Sequence, residues 1–171
     1  MRVSGVSLSD SEAFRVFYED AAPVVYGYFI RRCGGRSHVA EDLTSEVFVS
    51  AVRAVRDGVT VDAPMPWIIT IARRRLVDHY RRRDGRRDLG LDDAPTVSVG
   101  SVWDSPSEAR LVTALEQLSP DHRAVLVLRF VDGLPVREVA EMMGRSERAA
   151  QSLLVRARAA LRAEWEEVPD A

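Results

Sequence analysis

Apolar side chains return at every third or fourth position along most of this chain, and one stretch, Asp88 to Pro106, breaks that rhythm. A period near 3.6 residues belongs to helices that bury one face, so the pattern predicts an all-α protein. The break holds Gly, Pro, Ser, Thr and four aspartates with no basic residue, the composition of a flexible linker. The chain thus divides into two small helical domains, spanning 10–87 and 107–163, with an acidic linker at 88–106 and an acidic tail at 164–171. Hydrophobic residues make up 46% of the 171 positions, enough to fill a core in each lobe.

In the first lobe Phe14, Phe17, Tyr18, Ala21, Val25 and Tyr28 mark one helix, with Pro23 suggesting a kink or a restart. Cys33, Gly34 and Gly35 end it. A second stripe, Val39, Leu43, Val47, Ala51 and Ala54, runs to Gly58. A third, Trp67, Ile68, Ile71, Ala72, Leu76 and Tyr80, starts after Pro64 and Pro66. The second lobe opens with Ser105, Pro106 and Glu108 as a capping box ahead of Val112, Leu115 and Leu118. Ser119 and Pro120 repeat the start signal for a helix carrying Val125, Leu126, Leu128 and Phe130, which Asp132 and Gly133 stop.

From Leu134 to Arg162 the chain reads LPVREVAEMMGRSERAAQSLLVRARAALR, a short helix, a turn at Gly144 and a long helix capped by Ser146. This is the grammar of a helix-turn-helix. Ala140 permits close approach, Gly144 accepts a left-handed backbone, and Val139, Met143, Leu154 and Ala157 form the seam. In such a unit the second helix enters the major groove, which points Glu147, Arg148, Gln151, Ser152 and Arg156 at base edges. Gln pairs bidentately with adenine and Arg with guanine, at about 1–3 kcal/mol of discrimination each. The alternative for Arg145 to Arg162 is an ordinary solvated face of a helical bundle.

Charge supports the DNA reading through its distribution. The net value is −2 and every basic residue is arginine, eight of them crowded at Arg73, Arg74, Arg75, Arg81, Arg82, Arg83, Arg86 and Arg87 against Asp78, Asp84 and Asp88. Local potential, screened over about 10 Å, is what attracts phosphate. Other classes find little support. Cys33 is the single cysteine and reads as a packed small residue; with His38, His79 and His122 it shows no metal-ligand spacing, so no cofactor or metal is expected. No apolar run approaches the ~20 residues of a membrane span, and Met1 to Ser9 lacks the pattern of a signal peptide, which predicts a cytoplasmic protein without membrane insertion.

The motifs AEDLTSEVF (Ala40 to Phe48), PWIITIARRRLVDHYRRR (Pro66 to Arg83), LSPDHRAVLVLRFVDGLPVREVAEMMGRS and LLVRARAALR resemble, in order, regions two and four of extracytoplasmic-function sigma factors of the sigma-70 family. The resemblance covers roughly Ser11 to Arg162. It implies a non-enzymatic alternative sigma factor that binds core RNA polymerase, at its beta and beta-prime subunits, and directs initiation at particular promoters. Glu41, Asp42 and Glu46 correspond to the family's polymerase-docking helix. Trp67, Arg73, Arg74, Arg75, Tyr80, Arg81, Arg82 and Arg83 correspond to the helix that captures and melts minus-ten DNA; Trp67 and Tyr80 sit on the apolar stripe, where such rings are more often core than stacking platforms, so the arginines come first. Arg145, Ser146, Glu147, Arg148, Gln151, Ser152, Arg156 and Arg158 fall where the family contacts the minus-thirty-five element. Ser45 and Arg74 depart from the Gln and Asn often found there. The family's frequent inhibitor, an anti-sigma factor, is an implied partner; self-inhibition by the acidic tail (Glu164, Glu166, Glu167 and Asp170) is an alternative to it. Asp88, Asp92, Asp93 and Asp104 of the linker are either RNA mimics near the polymerase exit path or the solvated part of a spacer. Three rivals fare worse. A response-regulator output module would need a strand-rich receiver, an enzyme would need a nucleophile or phosphate loop, and an adaptor that binds only polymerase would not need the arginines.

Overall fold

In the computed structural model, residue 8 and residues 10–88 and 106–167 are described, and every regular element among them is helical. Helix α1 spans Ser11–Arg32, α2 Ser37–Arg56, α3 Pro64–Asp88, α4 Pro106–Gln117, α5 Pro120–Leu126, α6 Val136–Met143 and α7 Glu147–Glu167; a π-helical turn, Val127–Val131, continues α5. The all-α expectation therefore holds. Ser105 and the linker between Asp88 and Pro106 lie outside the described residues, as does Asp170. Glu164, Glu166 and Glu167 are helical, because α7 runs past Arg162 to Glu167.

The described residues divide into two compact units, and the division falls inside α3, between Arg75 and Leu76. Composition marks where that helix ends, at the linker, but side-chain packing decides to which core each of its turns belongs.

In the first unit the Asp10 carboxylate caps α1 by accepting from the Ala13 amide at 3.4 Å, and the helix continues through Pro23 without a restart. Phe17, Ala21, Val25 and Phe29 of α1 are buried, as are Leu43, Val47, Phe48 and Ala51 of α2 and Ile68 and Ala72 of α3. Each large side chain among them contributes about 1.5–3 kcal/mol by leaving water. Cys33 is fully buried, the packed role expected of it. Tyr18 stays half exposed while its ring meets Phe48 edge-on at 4.7 Å.

In the second unit α7 packs against α4, α5 and α6. Its core holds Ala114 and Leu118 of α4, Val125, Leu126 and Leu128 around α5, and Val139, Ala140 and Met143 of α6. Leu76, Val77 and Tyr80 of α3 are buried as well. Two features depart from the sequence reading. The Asp132 amide donates to the Val127 carbonyl at 2.9 Å, a five-residue step that widens the helix and rotates the side chains within that turn. Phe130 and Val131 consequently face solvent, 60% and 57% exposed, although Phe130 sits on the helical stripe. Arg123, a cation that simple patterning places outside, is 6% exposed. Its guanidinium covers the Tyr80 ring at 4.4 Å and approaches Glu116 at 4.0 Å.

Candidate nucleic-acid interface

Gly144 ends α6 with φ 65° and ψ 38°, a left-handed residue that costs a side-chain-bearing residue roughly 1–2 kcal/mol. The turn closes tightly, with the Arg145 amide donating to the Ala140 carbonyl at 2.9 Å and the Gly144 amide to Glu141 at 3.2 Å. Ser146 then caps α7, its hydroxyl oxygen accepting from the Ala149 amide at 3.2 Å. The expected seam is formed: Val139, Met143, Leu154 and Ala157 are all buried, joined by Ala150 and Leu153.

Burying that seam turns the opposite side of α7 outward. Glu147, Arg148, Gln151, Ser152 and Arg156 are exposed, and so are Arg145, Ser146 and Arg158. Arg145 pairs with Asp121, and the hydrogen bonds of Ser152 and Arg156 are local. Ser152 donates to the Arg148 carbonyl at 3.0 Å, and Arg156 Nε donates to the Ser152 carbonyl at 3.4 Å, which ties that guanidinium to its own helix. Ser146 is committed to its cap. Val155, 70% exposed, sits beside Arg156 as a bare apolar group on the same surface. Arg158 stands apart from that face, lining with Leu111, Leu161, Arg162 and Trp165 an open groove of about 340 Å³.

The arginines of α3 are placed otherwise. Arg75 donates through Nη2 to the Ser50 hydroxyl at 2.7 Å and lies 3.9 Å from the Glu46 carboxylate, joining α3 to α2. Glu46, expected to face a partner, is thus half-buried against an arginine of its own unit, while Glu41 and Asp42 are exposed on α2. Arg74 and Arg82 are exposed; Trp67 and Arg73 are half-buried. Tyr80, expected beside minus-ten DNA, is 4% exposed beneath Arg123, which occupies one face of its ring. In the second unit Arg81 Nε donates to Asp121 at 3.0 Å and its Nη2 to the Met143 carbonyl at 3.2 Å, while Arg83 reaches Glu116 at 3.5 Å. The other oxygen of Asp121 accepts from Arg145.

Asp121 was not singled out from the sequence. It comes directly after Ser119 and Pro120, where an acid is explained by the helix start alone, and its arginine partners lie 40 residues before and 24 after. Partial burial would raise its pKa, but the hydrogen bonds from Arg81 and Arg145, with their charges, outweigh burial and hold it below the ordinary aspartate value.

The family models described as Sigma-70 region 2 and Sigma-70, region 4 match residues 17–86 and 108–161. The RNA polymerase sigma factor CarQ of Myxococcus xanthus is 33% identical over 150 residues, covering 82% of each chain. The ECF RNA polymerase sigma factor SigL of Mycobacterium tuberculosis is 29% identical, covering 98% of this chain and 97% of its own. The ECF RNA polymerase sigma factor BldN of Streptomyces coelicolor is 33% identical over 162 residues; the match takes in 91% of this chain but only 61% of BldN. Among solved structures, the sigma factor RpoE of Bartonella quintana, in complex with the anti-sigma factor NepR, matches with a TM-score of 0.62 at 20% identity. That match covers 91% of this chain and 98% of RpoE, and it is a likeness of fold.

Proposed function

The chain belongs to the sigma-70 family of RNA polymerase sigma factors, in its extracytoplasmic-function group, and from that premise we propose that it directs core polymerase to particular promoters. The observation that carries this reading is the left-handed Gly144 turn between α6 and α7, with the Val139, Met143, Leu154 and Ala157 seam buried behind an outward face of Arg148, Gln151, Ser152 and Arg156. A helix so presented fits the major groove, reading the minus-thirty-five element through Gln151, Arg148 and Arg156 while Arg145 holds phosphate. Glu41 and Asp42, exposed on α2, dock the first unit on the beta and beta-prime subunits. The arginines of α3, led by Arg74 and Arg82, engage the opening minus-ten DNA, with Trp67 as its aromatic neighbour.

In this mechanism the protein performs no bond chemistry and acts in the cytoplasm; none of its described helices is long and apolar enough to cross a membrane. Two DNA contacts, each weak alone, gain effective concentration once polymerase fixes their spacing. An anti-sigma factor is the expected inhibitor.

Run-off transcription from a fragmented genomic library of the source bacterium, with purified core polymerase, tests the reading. Discrete new start sites, lost with Arg148→Ala, Gln151→Ala and Arg156→Ala combined, are the expected outcome. A chain that neither binds core nor adds a start would reduce it to a plain helix-turn-helix protein.

A further inference from the structure

Two acids in the second unit occupy arginines that the proposed function needs for DNA. Asp121, at the start of α5, accepts from Arg81 through one oxygen and from Arg145 through the other; these residues belong to the minus-ten and minus-thirty-five sets respectively. Its side chain is 28% exposed, so the pairs are partly shielded from water. Arg81 is fixed further by the Met143 carbonyl, at the last turn before Gly144. Alongside, Glu116 lies within 3.5 Å of Arg83 and 4.0 Å of Arg123, and Arg123 closes over Tyr80. A carboxylate holding two guanidinium groups offers them what a DNA phosphate offers, two oxygens sharing a negative charge.

We propose that Asp121 is an internal phosphate mimic, a latch that keeps Arg81 and Arg145 from DNA in the free chain until nucleic acid displaces it. This rests on the DNA-binding reading above. Displacement costs affinity, because the two arginine–carboxylate pairs must be broken before the arginines meet phosphate, while the number of phosphates neutralised, and with it the salt slope, stays the same.

The experiment uses the full chain and a fluorescein-labelled 30-base-pair duplex of mixed sequence, with anisotropy read from low to moderate salt. Asp121→Asn is expected to bind on the order of fivefold more tightly than wild type, the scale of about 1 kcal/mol. Its slope of log affinity against log salt should match that of wild type, because both neutralise the same phosphates. Asp62→Asn, which removes the same charge from an exposed site in the first unit, should keep the wild-type affinity. Equal affinity for wild type and Asp121→Asn overturns the latch alone, as does an equal gain from Asp62→Asn. Failure of both wild type and Asp121→Asn to bind at low salt overturns the latch, whereas the promoter reading stands or falls on the run-off experiment, since each DNA contact is weak without polymerase. Should Asp121→Asn not fold, the wild type decides by NMR: the Arg81 Nε–H resonance should be protected from exchange in the free chain and shift on adding duplex. An Arg81 resonance that is unprotected, or indifferent to DNA, overturns the proposal.

Discussion

The arginines of α7 and those of α3 look alike in sequence, yet the fold treats them differently. Arg148 and Arg156 lie on the exposed side of a helix whose opposite side is buried, and Arg156 bonds to its own helix. Arg75, Arg81 and Arg83 reach Ser50, Glu46, Asp121, Met143 and Glu116, all on other elements. A cationic cluster in sequence therefore reports capacity for phosphate. Availability depends on which acids the tertiary structure brings near, and it differs between one face already presented and one partly engaged.

The sharpest way to break this contrast is to strip the presented face. Replacing Arg148, Gln151 and Arg156 together by alanine should cost about 3–9 kcal/mol of specific promoter binding by the holoenzyme, from three base-reading pairs at about 1–3 kcal/mol each. The melting temperature should hold, because all three side chains are exposed. Footprinting at a mapped start site checks it, and retained protection would remove α7 from base reading.

Disturbing what presents that face comes next. Ala157, fully buried in the seam, has no room for added methylenes, so Ala157→Leu should lower stability by about 1–3 kcal/mol in urea unfolding and reduce DNA binding with it. Gly144→Ala strains the left-handed turn and should cost about 1–2 kcal/mol. A neutral result at Gly144 would mean that the turn relaxes and that the positioning of α7 comes from the seam alone.

On the engaged side the effects are smaller. Arg75→Gln removes the pair with Glu46 and weakens the tie to Ser50, and should lower stability by about 0.5–1 kcal/mol, since both groups are over a third exposed or nearly so. Smallest is the pH effect at Asp121. Its pKa in the folded chain lies below the ordinary 3.8, so its pairs contribute fully above that value and are lost as pH falls through the depressed one. The difference in melting temperature between wild type and Asp121→Asn should therefore be level from pH 7 to about pH 4 and shrink below it. A difference that grows on acidification would contradict the pairing.

Much of the architecture was legible in the amino-acid pattern because it is local. The periodic stripes located α1, α2 and α3, the Ser119–Pro120 start located α5, and the Gly144 and Ser146 signals located the turn and cap to the residue. Seam burial and the outward face of α7 come from helical geometry once one side is apolar. The reading falls short where a local irregularity or a distant group decides. Phe130 lies on a helical stripe, but one widened turn at Val127–Val131 sends it into solvent. Arg123 looks like an ordinary surface cation alone, and its burial goes with its guanidinium lying over the ring of Tyr80, itself on the apolar stripe of α3.

By itself, then, the sequence determined an all-α chain with a capped helix-turn-helix and the arginines that suit nucleic acid, since caps, turns and periodicity act over a few residues. Only the tertiary structure decided which arginines meet carboxylates. Asp121 and Arg81 are 40 residues apart, and a charge pair at that separation exists only when packing brings its two helices together.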